Sequence, residues 1–376
     1  MPMKILLHYP FVPNYRVPVF NELASKNNIE LVVMSAAESN DVTLLSKPIG
    51  WNFNHVNTLL KSYSIFNRVI DVEFGVLSHL FKLRKNIDYY IILSNPNIIT
   101  SWIYSLMAKL FGIKVIFWGH GLLREDKGIK KFIRNVYYKI PDIHWLYGIN
   151  GKKLLVESGI PTDKIKIIYN SLDYEKQKKI RESLFPKKEN IRSELGLLET
   201  DFVIVTIGRL LKKLRIEQII NAIPHSSKLQ LKIIIIGDGP EKESLKDLCI
   251  KLGVSNSVQF TGAIYDEKIL GKYYTASDAS VVMGVVGLAA MHSLAYGVPL
   301  ITHSTIEEHC PEIEAVIPGV TGEFFKQNDM DSFLGAVDNV NMKRGYYKQS
   351  CIDEIERKYT PSRQVGLMME SLQDVI

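Results

Sequence analysis

The run Lys232-Ile233-Ile234-Ile235-Ile236 restricts this chain more than any other feature. Four consecutive isoleucines leave no polar face, so the strand they form is buried on both sides, as in a parallel sheet covered by helices. Similar apolar runs recur at Lys4–His8, Glu30–Met34, Tyr89–Leu93, Lys114–Trp118 and Ile165–Tyr169, then at Phe202–Ile207, Val258–Phe260, Ala279–Val282 and Pro299–Thr302. Helix-period stretches such as Val17–Ser25 and Ile98–Phe111 separate them. Strands alternating with helices predict βαβ units and an α/β fold with parallel sheets. The polar segment Asp173–Asn190 holds no strand. It predicts a boundary between a front domain, 1–172, and a back domain, 173–360, followed by a final segment, 361–376. A chain of 376 residues has room for that, at roughly 100–200 residues per domain.

Composition closes several other routes. Hydrophobic residues make up 46% and charged residues 23%, which excludes a disordered or collagen-like chain. Cys249, Cys310 and Cys351 share no metal-ligand spacing and cannot form a disulfide framework, which favours a reducing compartment. The N-terminus lacks a signal-peptide apolar region, so a cytoplasmic protein is expected. Charge is uneven: residues 1–170 carry 21 Lys and Arg against 12 Asp and Glu, residues 171–376 carry 25 against 28. A basic front half draws phosphates, acidic lipids or nucleic acid. With no zinc-finger spacing and no RNP aromatic motif, nucleic acid is not an expected partner. Ser280–Ile301 runs 22 residues without a charge, near a membrane span in length. Its Gly284, Gly287, Gly297 and Pro299 predict a buried strand–turn–helix–strand instead.

Open α/β sheets bind ligands at the carboxyl ends of their strands, and two such sheets predict a cleft between domains. The first strand runs into His8-Tyr9-Pro10-Phe11-Val12-Pro13-Asn14-Tyr15-Arg16, with no glycine before Gly50. A dinucleotide site needs G-x-G-x-x-G there, which argues against an NAD-dependent oxidoreductase fold in the front half. His8, Tyr15 and Arg16 are candidates for holding a polar acceptor. In Trp118-Gly119-His120-Gly121 a histidine between two glycines ends a strand, where backbone can approach a ligand closely. Gly208-Arg209-Leu210-Leu211-Lys212-Lys213-Leu214-Arg215 follows another strand end with four cations, a phosphate-binding pattern in which Arg209 is the firmest member. Gly237-Asp238-Gly239-Pro240 reads as a tight turn into a helix. Met283–His292 places a Gly-x-x-Gly turn before a helix, and the amides of a helix start favour an anion. Glu307–Glu314 holds four carboxylates and a histidine, able to act in acid–base chemistry or to lie as a solvated acidic loop. Helix Ile129–Ile140 carries Ile129, Phe132, Ile133, Val136, Tyr137 and Ile140 on one stripe and Lys127, Lys130, Lys131 and Arg134 on the other. Membrane-surface helices share this pattern, as do core-packed helices with a wet basic face; the second is expected here.

Taken together these stretches resemble bacterial GT-B glycosyltransferases (glycosyltransferase family 4-like, group 1), which serve lipopolysaccharide and capsule assembly. The matching pieces are Ile168–Asp173, Ile207–Leu210, Ile236–Pro240, Val258–Gly262, Tyr274–Asp278, Gly287-Leu288, Ala295–Pro299 and Gly319–Gly322, all in one order. The resemblance implies two Rossmann-like domains facing a cleft, with a nucleotide sugar on the back domain and an acceptor on the front one. It also implies a C-terminal helix, here Pro361–Asp374, crossing back to the front domain. By position, Arg209 is similar to the family's diphosphate arginine, His120 to the histidine facing the donor sugar, and Gly284–Leu288 to the loop whose amides bind phosphate. Gly262, Lys213, His292 and Glu312 complete the donor-binding set, and His120 and Arg209 form the catalytic set. Two departures stand out. The family's E-x7-E glutamates fall at Gly284 and His292, and its diphosphate lysine falls at Leu214. An O-antigen and capsule subgroup resembles the chain even there.

The implied reaction moves a sugar from a nucleotide-diphosphate sugar, a UDP-sugar foremost, to a hydroxyl of a lipid-linked surface-polysaccharide acceptor. Retention of configuration, no metal and no cofactor are expected, with peripheral contact at the inner membrane through the basic front domain. Two rivals fit the same residues: a nucleotide-sugar 2-epimerase, and a catalytically silent donor-binding partner of another transferase.

Overall fold

The computed structural model describes residues 2–36, 50–65, 68–125, 127–226 and 229–373. The chain divides into two compact units, Met1–Leu172 with Pro361–Ile376, and Asp173–Thr360.

In the first unit the elements run β1 (Met3–Phe11), α1 (Val17–Ala24), β2 (Ile29–Ala36), β3 (Asn54–Ile65), β4 (Arg68–Phe74), α2 (Val76–Leu83), β5 (Tyr89–Leu93), α3 (Ile99–Leu110), β6 (Lys114–Gly119), α4 (Gly128–Tyr138), β7 (Ile143–Leu146), α5 (Ile149–Glu157) and β8 (Ile165–Ile167). Among the described residues they form one sheet in the order β4-β3-β2-β1-β5-β6-β7-β8. The two-residue period of β1 sends Ile5, Leu7 and Tyr9 to one core and Leu6 to the other. The first core lies under α1, the second under α2, α3 and α4. The expected all-parallel sheet needs one correction. β4 runs antiparallel to β3, from Leu59 opposite Phe74 to Ile65 opposite Arg68. The polar run Asn54–Ile65 carries no buried-strand signature, so the hairpin is invisible to an argument from apolar runs.

The second unit runs α6 (Tyr174–Leu184), α7 (Lys188–Glu194), β9 (Phe202–Ile207), α8 (Ile216–Ala222), β10 (Leu231–Ile236), α9 (Lys242–Lys251), β11 (Val258–Gly262), α10 (Glu267–Ala276), β12 (Ala279–Val282), α11 (Leu288–Ala295), β13 (Leu300–His303), β14 (Gly322–Phe325), α12 (Met330–Met342) and α13 (Tyr347–Lys358). Its strands lie in the order β11-β10-β9-β12-β13-β14, all parallel. Ile233–Ile236 are fully buried, as a central strand requires. The uncharged stretch 280–301 resolves into β12, a turn, α11 and β13, the strand–turn–helix–strand its glycines imply. Among the described residues no helix is long and apolar enough to cross a membrane.

The last helix, α14 (Pro361–Gln373), packs in the first unit; Asp374, the expected end, lies outside the described residues. Val365, Met368 and Leu372 enter the core beneath α1. Trp145 Nε1 donates to Ser371 Oγ (2.6 Å), and Gln364 Nε2 donates to the carbonyl of Tyr169 (2.6 Å).

Candidate active site

In the second sheet β9 lies between β10 and β12, so the winding direction reverses at the β9/β12 pair. Such a switch point opens a crevice at the strand ends. Both loops there depend on glycine. A Cβ on Gly237 would stand 1.9 Å from the carbonyl oxygen of Gly208, and one on Gly239 would stand 2.5 Å from that of Leu210. The loops after β9 and β10 thus lie backbone against backbone, tied by Leu210 N donating to Asp238 O (2.9 Å) and Glu241 N to Leu210 O (3.1 Å). Leu210 is locked inside, while Arg209 stays exposed with no ion pair among the described residues. Lys213, in a single 3-10 turn, is also exposed.

The loop after β12 reaches the same place. A Cβ on Gly284 would lie 2.3 Å from the carbonyl oxygen of Lys213 and 3.2 Å from Leu214 Cα. No side chain fits there, which gives a physical reason for the absent glutamate. Leu214 in turn packs its Cδ1 2.9 Å from where a Cβ on Gly208 would be. Two of the positions that depart from the resemblance, 214 and 284, are therefore neighbours in space, where two loops lie backbone against backbone. Gly287 caps α11 without any side-chain cap, and the space beside it is open. The first amides of a helix have no intrahelical acceptor, and the helix dipole adds positive potential there.

Two buried histidines brace this loop from behind, and reasoning from sequence missed them as such. His303 Nε2 donates to the carbonyl of Gly284 (3.1 Å), and His309 Nε2 donates to that of His303 (2.9 Å). The amide of Val286 donates to His309 Nδ1 (3.0 Å), while its carbonyl accepts from Cys310 N (2.9 Å). An amide can only donate, so His309 Nδ1 carries no proton and the ring is neutral. The rings lie 4.1 Å apart. Burial, with His309 adding to it, lowers His303 to about 4, and burial lowers His309 as well. His309 sat in plain view in the acidic cluster. Of that cluster, Glu308 lies 3.8 Å from Arg215 and accepts from Gln327 Nε2 (2.7 Å), while Glu312 is buried in the 3-10 turn Pro311–Ala315.

His292, one turn into α11, has its Nδ1 engaged. Gln177 Nε2 donates to it (3.1 Å), and Glu267 Oε1 is 3.6 Å away. Gln177 Nε2 and Tyr296 Oη also donate to Glu267 Oε1, at 3.1 and 3.0 Å. Burial raises the Glu267 carboxyl, yet the neighbouring His292 ring and hydrogen bonds from Gln177 and Tyr296 outweigh it and hold the group below its usual range. The rings of His292, Tyr274 and Tyr296 form a near-parallel column, at 6.4 and 5.3 Å. Nε2 is the ring nitrogen left to meet a ligand. Gln177 and Glu267 had no signal in sequence, being remote from His292 along the chain. Gly262 lies apart from the switch point, at the end of edge strand β11, where its carbonyl accepts from Gly237 N (2.9 Å).

In the first unit His120 follows β6, partly exposed, its ring edge-on to Tyr147 at 4.9 Å. A Cβ on Gly151 would stand 2.3 Å from its carbonyl oxygen, so α5 starts directly against it. Two acceptor candidates need correction. His8 is buried, with Nδ1 2.7 Å from Tyr90 Oη and Nε2 3.0 Å from Glu73 Oε2. The guanidinium of Arg16 is buried too, donating to Tyr9 Oη (3.2 Å), Tyr147 Oη (2.7 Å) and Asn170 Oδ1 (2.6 Å). Both serve the interior of their unit in this structure. Tyr15 is half-buried beside Arg16.

Residues 187–351, most of the second unit, match the family model described as Glycosyl transferases group 1. An uncharacterised glycosyltransferase of Methanocaldococcus jannaschii is 27% identical over 226 residues, which span 56% of this chain and 56% of that protein. The chain thus covers little more than half the length of that relative. An uncharacterised 41.2 kDa protein from the cps region of Klebsiella pneumoniae is 24% identical, over 67% of this chain and 69% of its own. Among solved structures, HepE of Anabaena in complex with UDP superposes with a TM-score of 0.74 at 15% identity, covering 99% of this chain and 100% of that one. The fold is GT-B: two Rossmann-like α/β units.

Proposed function

We propose that this chain is a glycosyltransferase that moves a sugar from a UDP-sugar to a hydroxyl of a lipid-linked surface-polysaccharide acceptor. The observation that carries the proposal is the switch point of the second unit, where exposed Arg209 and Lys213 stand beside an uncapped helix start. The UDP held by HepE and the cps-region origin of the Klebsiella relative support the donor and the acceptor class.

As the sugar–oxygen bond breaks, negative charge grows on the departing diphosphate. The Arg209 fork, Lys213 and the amides of Gly287 and Leu288 are preorganised for that charge. His292 Nε2 offers a hydrogen bond to a ribose hydroxyl, and His120 remains the first unit's candidate toward the donor sugar; Gly262, apart from the switch point, and the buried Glu312 take no part. Tyr15 remains the one candidate toward the acceptor, given the burial of His8 and Arg16. Without a glutamate at 284, the diphosphate itself takes the acceptor proton and configuration is retained. Protein cations fill the role of a divalent ion, so a chelator should leave turnover unchanged. The work is done in the cytoplasm, at the inner face of the membrane.

A thermal-shift screen against UDP, GDP, dTDP and CMP sugars tests the donor, because a ligand that binds only the native state raises apparent stability. Sugar transfer that needs both the matching donor and a glycan acceptor supports the proposal. Donor consumed without acceptor would favour the 2-epimerase, and binding without turnover on any acceptor would favour the silent partner.

A further inference from the structure

Helix α4 inverts the expected packing. Its apolar stripe faces outward: Ile129 is 78% exposed, Phe132 69%, and Ile133 and Val136 are also exposed, while only Tyr137 and Tyr138 are buried. The core-packed reading of this helix is therefore wrong. Its neighbours repeat the arrangement. In α3, Thr100, Ser101, Tyr104, Ser105 and Ala108 are buried, and Ile99, Ile103, Leu106 and Leu110 point the other way, Leu110 being 78% exposed. In α2, Leu77 and Phe81 are exposed. The three helices cover the same core of the first unit. Phe81 meets Phe111 just after α3 (6.1 Å), and Trp102 of α3 meets Tyr137 of α4 (4.8 Å).

Exposed apolar side chains scattered singly need no explanation, but stripes on adjoining helices mark a contact surface. Charge says what the surface meets. Residues 76–141 carry 11 Lys and Arg against 3 Asp and Glu. Apolar residues that enter an interface, set among cations, match a bilayer with anionic headgroups. A second copy of the chain would set this basic surface against itself. We propose that the outer faces of α2, α3 and α4 dock on an anionic phospholipid surface, with Ile129 and Phe132 inserting between headgroups and Lys127, Lys130 and Lys131 lying at phosphate level. This inference rests on helix faces alone and survives if the transferase proposal fails.

The test is flotation of the purified full chain with phosphatidylglycerol–phosphatidylcholine vesicles and with phosphatidylcholine alone. Binding should require the anionic lipid and weaken as salt rises. An Ile129→Ser/Phe132→Ser double variant should lose about tenfold or more in vesicle partition, with an unchanged melting curve, since neither side chain is buried. A Lys130→Glu/Lys131→Glu variant should lose binding at low salt. No flotation with anionic vesicles, or equal flotation of the apolar double variant, overturns the proposal. So does light scattering that shows a dimer which that variant dissociates, since the occupant is then a second copy.

Discussion

Arg16 and Arg209 hold equivalent stations. Each follows a strand at the switch point of its sheet, β1 beside β5 in the first unit and β9 beside β12 in the second. Their fates are opposite. The loop after β1 is rich in aromatics and folds Arg16 under the rings of Tyr15, Trp118 and Tyr147, each about 5 Å from the guanidinium, and two phenol oxygens and an amide take its donors. The loop after β9 is pinned by glycine backbone, and among the described residues Arg209 has neither ring nor ion-pair partner there. A cation at a strand end is a ligand group only where its own unit leaves it unsatisfied.

The largest expected effects test this contrast. Arg209→Ala should cut transfer about 100- to 1,000-fold, while its unfolding free energy in urea titration moves by less than about 0.5 kcal/mol. Arg16→Ala should behave the other way. It removes a buried side chain and its hydrogen bonds to Tyr9, Tyr147 and Asn170, costing about 2–4 kcal/mol of stability in urea titration. If Arg16→Ala kept its stability and Arg209→Ala unfolded, the contrast would be refuted.

A smaller effect is expected at Gly284. Gly284→Ala should cost about 1–3 kcal/mol, because the β-carbon meets the Lys213 carbonyl. Gly284→Glu restores the family's carboxylate on paper and should not raise turnover. A more active Gly284→Glu enzyme would show that the loops separate freely.

Legibility from sequence divides along similar lines. Ile233–Ile236 and the alternation around it announced the α/β class, because burial on both faces leaves a local mark. The glycine turns after β9, β10 and β12 were equally legible, since only glycine tolerates such close backbone. The β3–β4 hairpin left no apolar mark. What His8, Arg16 and the stripe of α4 would do was not legible, since the same residues suit a core or a surface and only tertiary neighbours decide. The bracing of the β12 loop by His303 and His309 was hidden for the same reason.

Acid should act on both units, and differently. In the first, burial lowers His144 to about 4, and in the second His303 goes to about 4 and His309 is lowered as well. These groups are depressed in the folded state, so the unfolded chain binds protons first as pH falls. Stability should be level in these histidines above their ordinary value of 6.5 and decline from there toward about 4. His144 bears on the fold alone, whereas His309 must lose its bond from Val286 N when protonated. Donor affinity should therefore fall over the same window, and His144→Phe should leave that fall in place. Affinity that stays constant down to pH 4 would mean the histidines do not hold the loop.

The smallest effect is at His292. Its Nδ1 is occupied by Gln177 and its ring is stacked, so the side chain is oriented before any ligand arrives. His292→Ala should raise KM for the donor about fivefold, the value of one hydrogen bond near 1 kcal/mol, with kcat little changed. Gln177→Leu keeps the imidazole but frees it to turn, so it should give part of that loss. Glu267→Gln keeps an acceptor for Tyr296 and should give less still. Equal losses in all three variants, with lowered melting temperatures, would assign the group to packing. A loss graded from His292 through Gln177 to Glu267, at constant melting temperature, would set His292 beside Arg209 as a ligand group of the second unit: a helix residue that its own unit orients and leaves with one polar atom unspent.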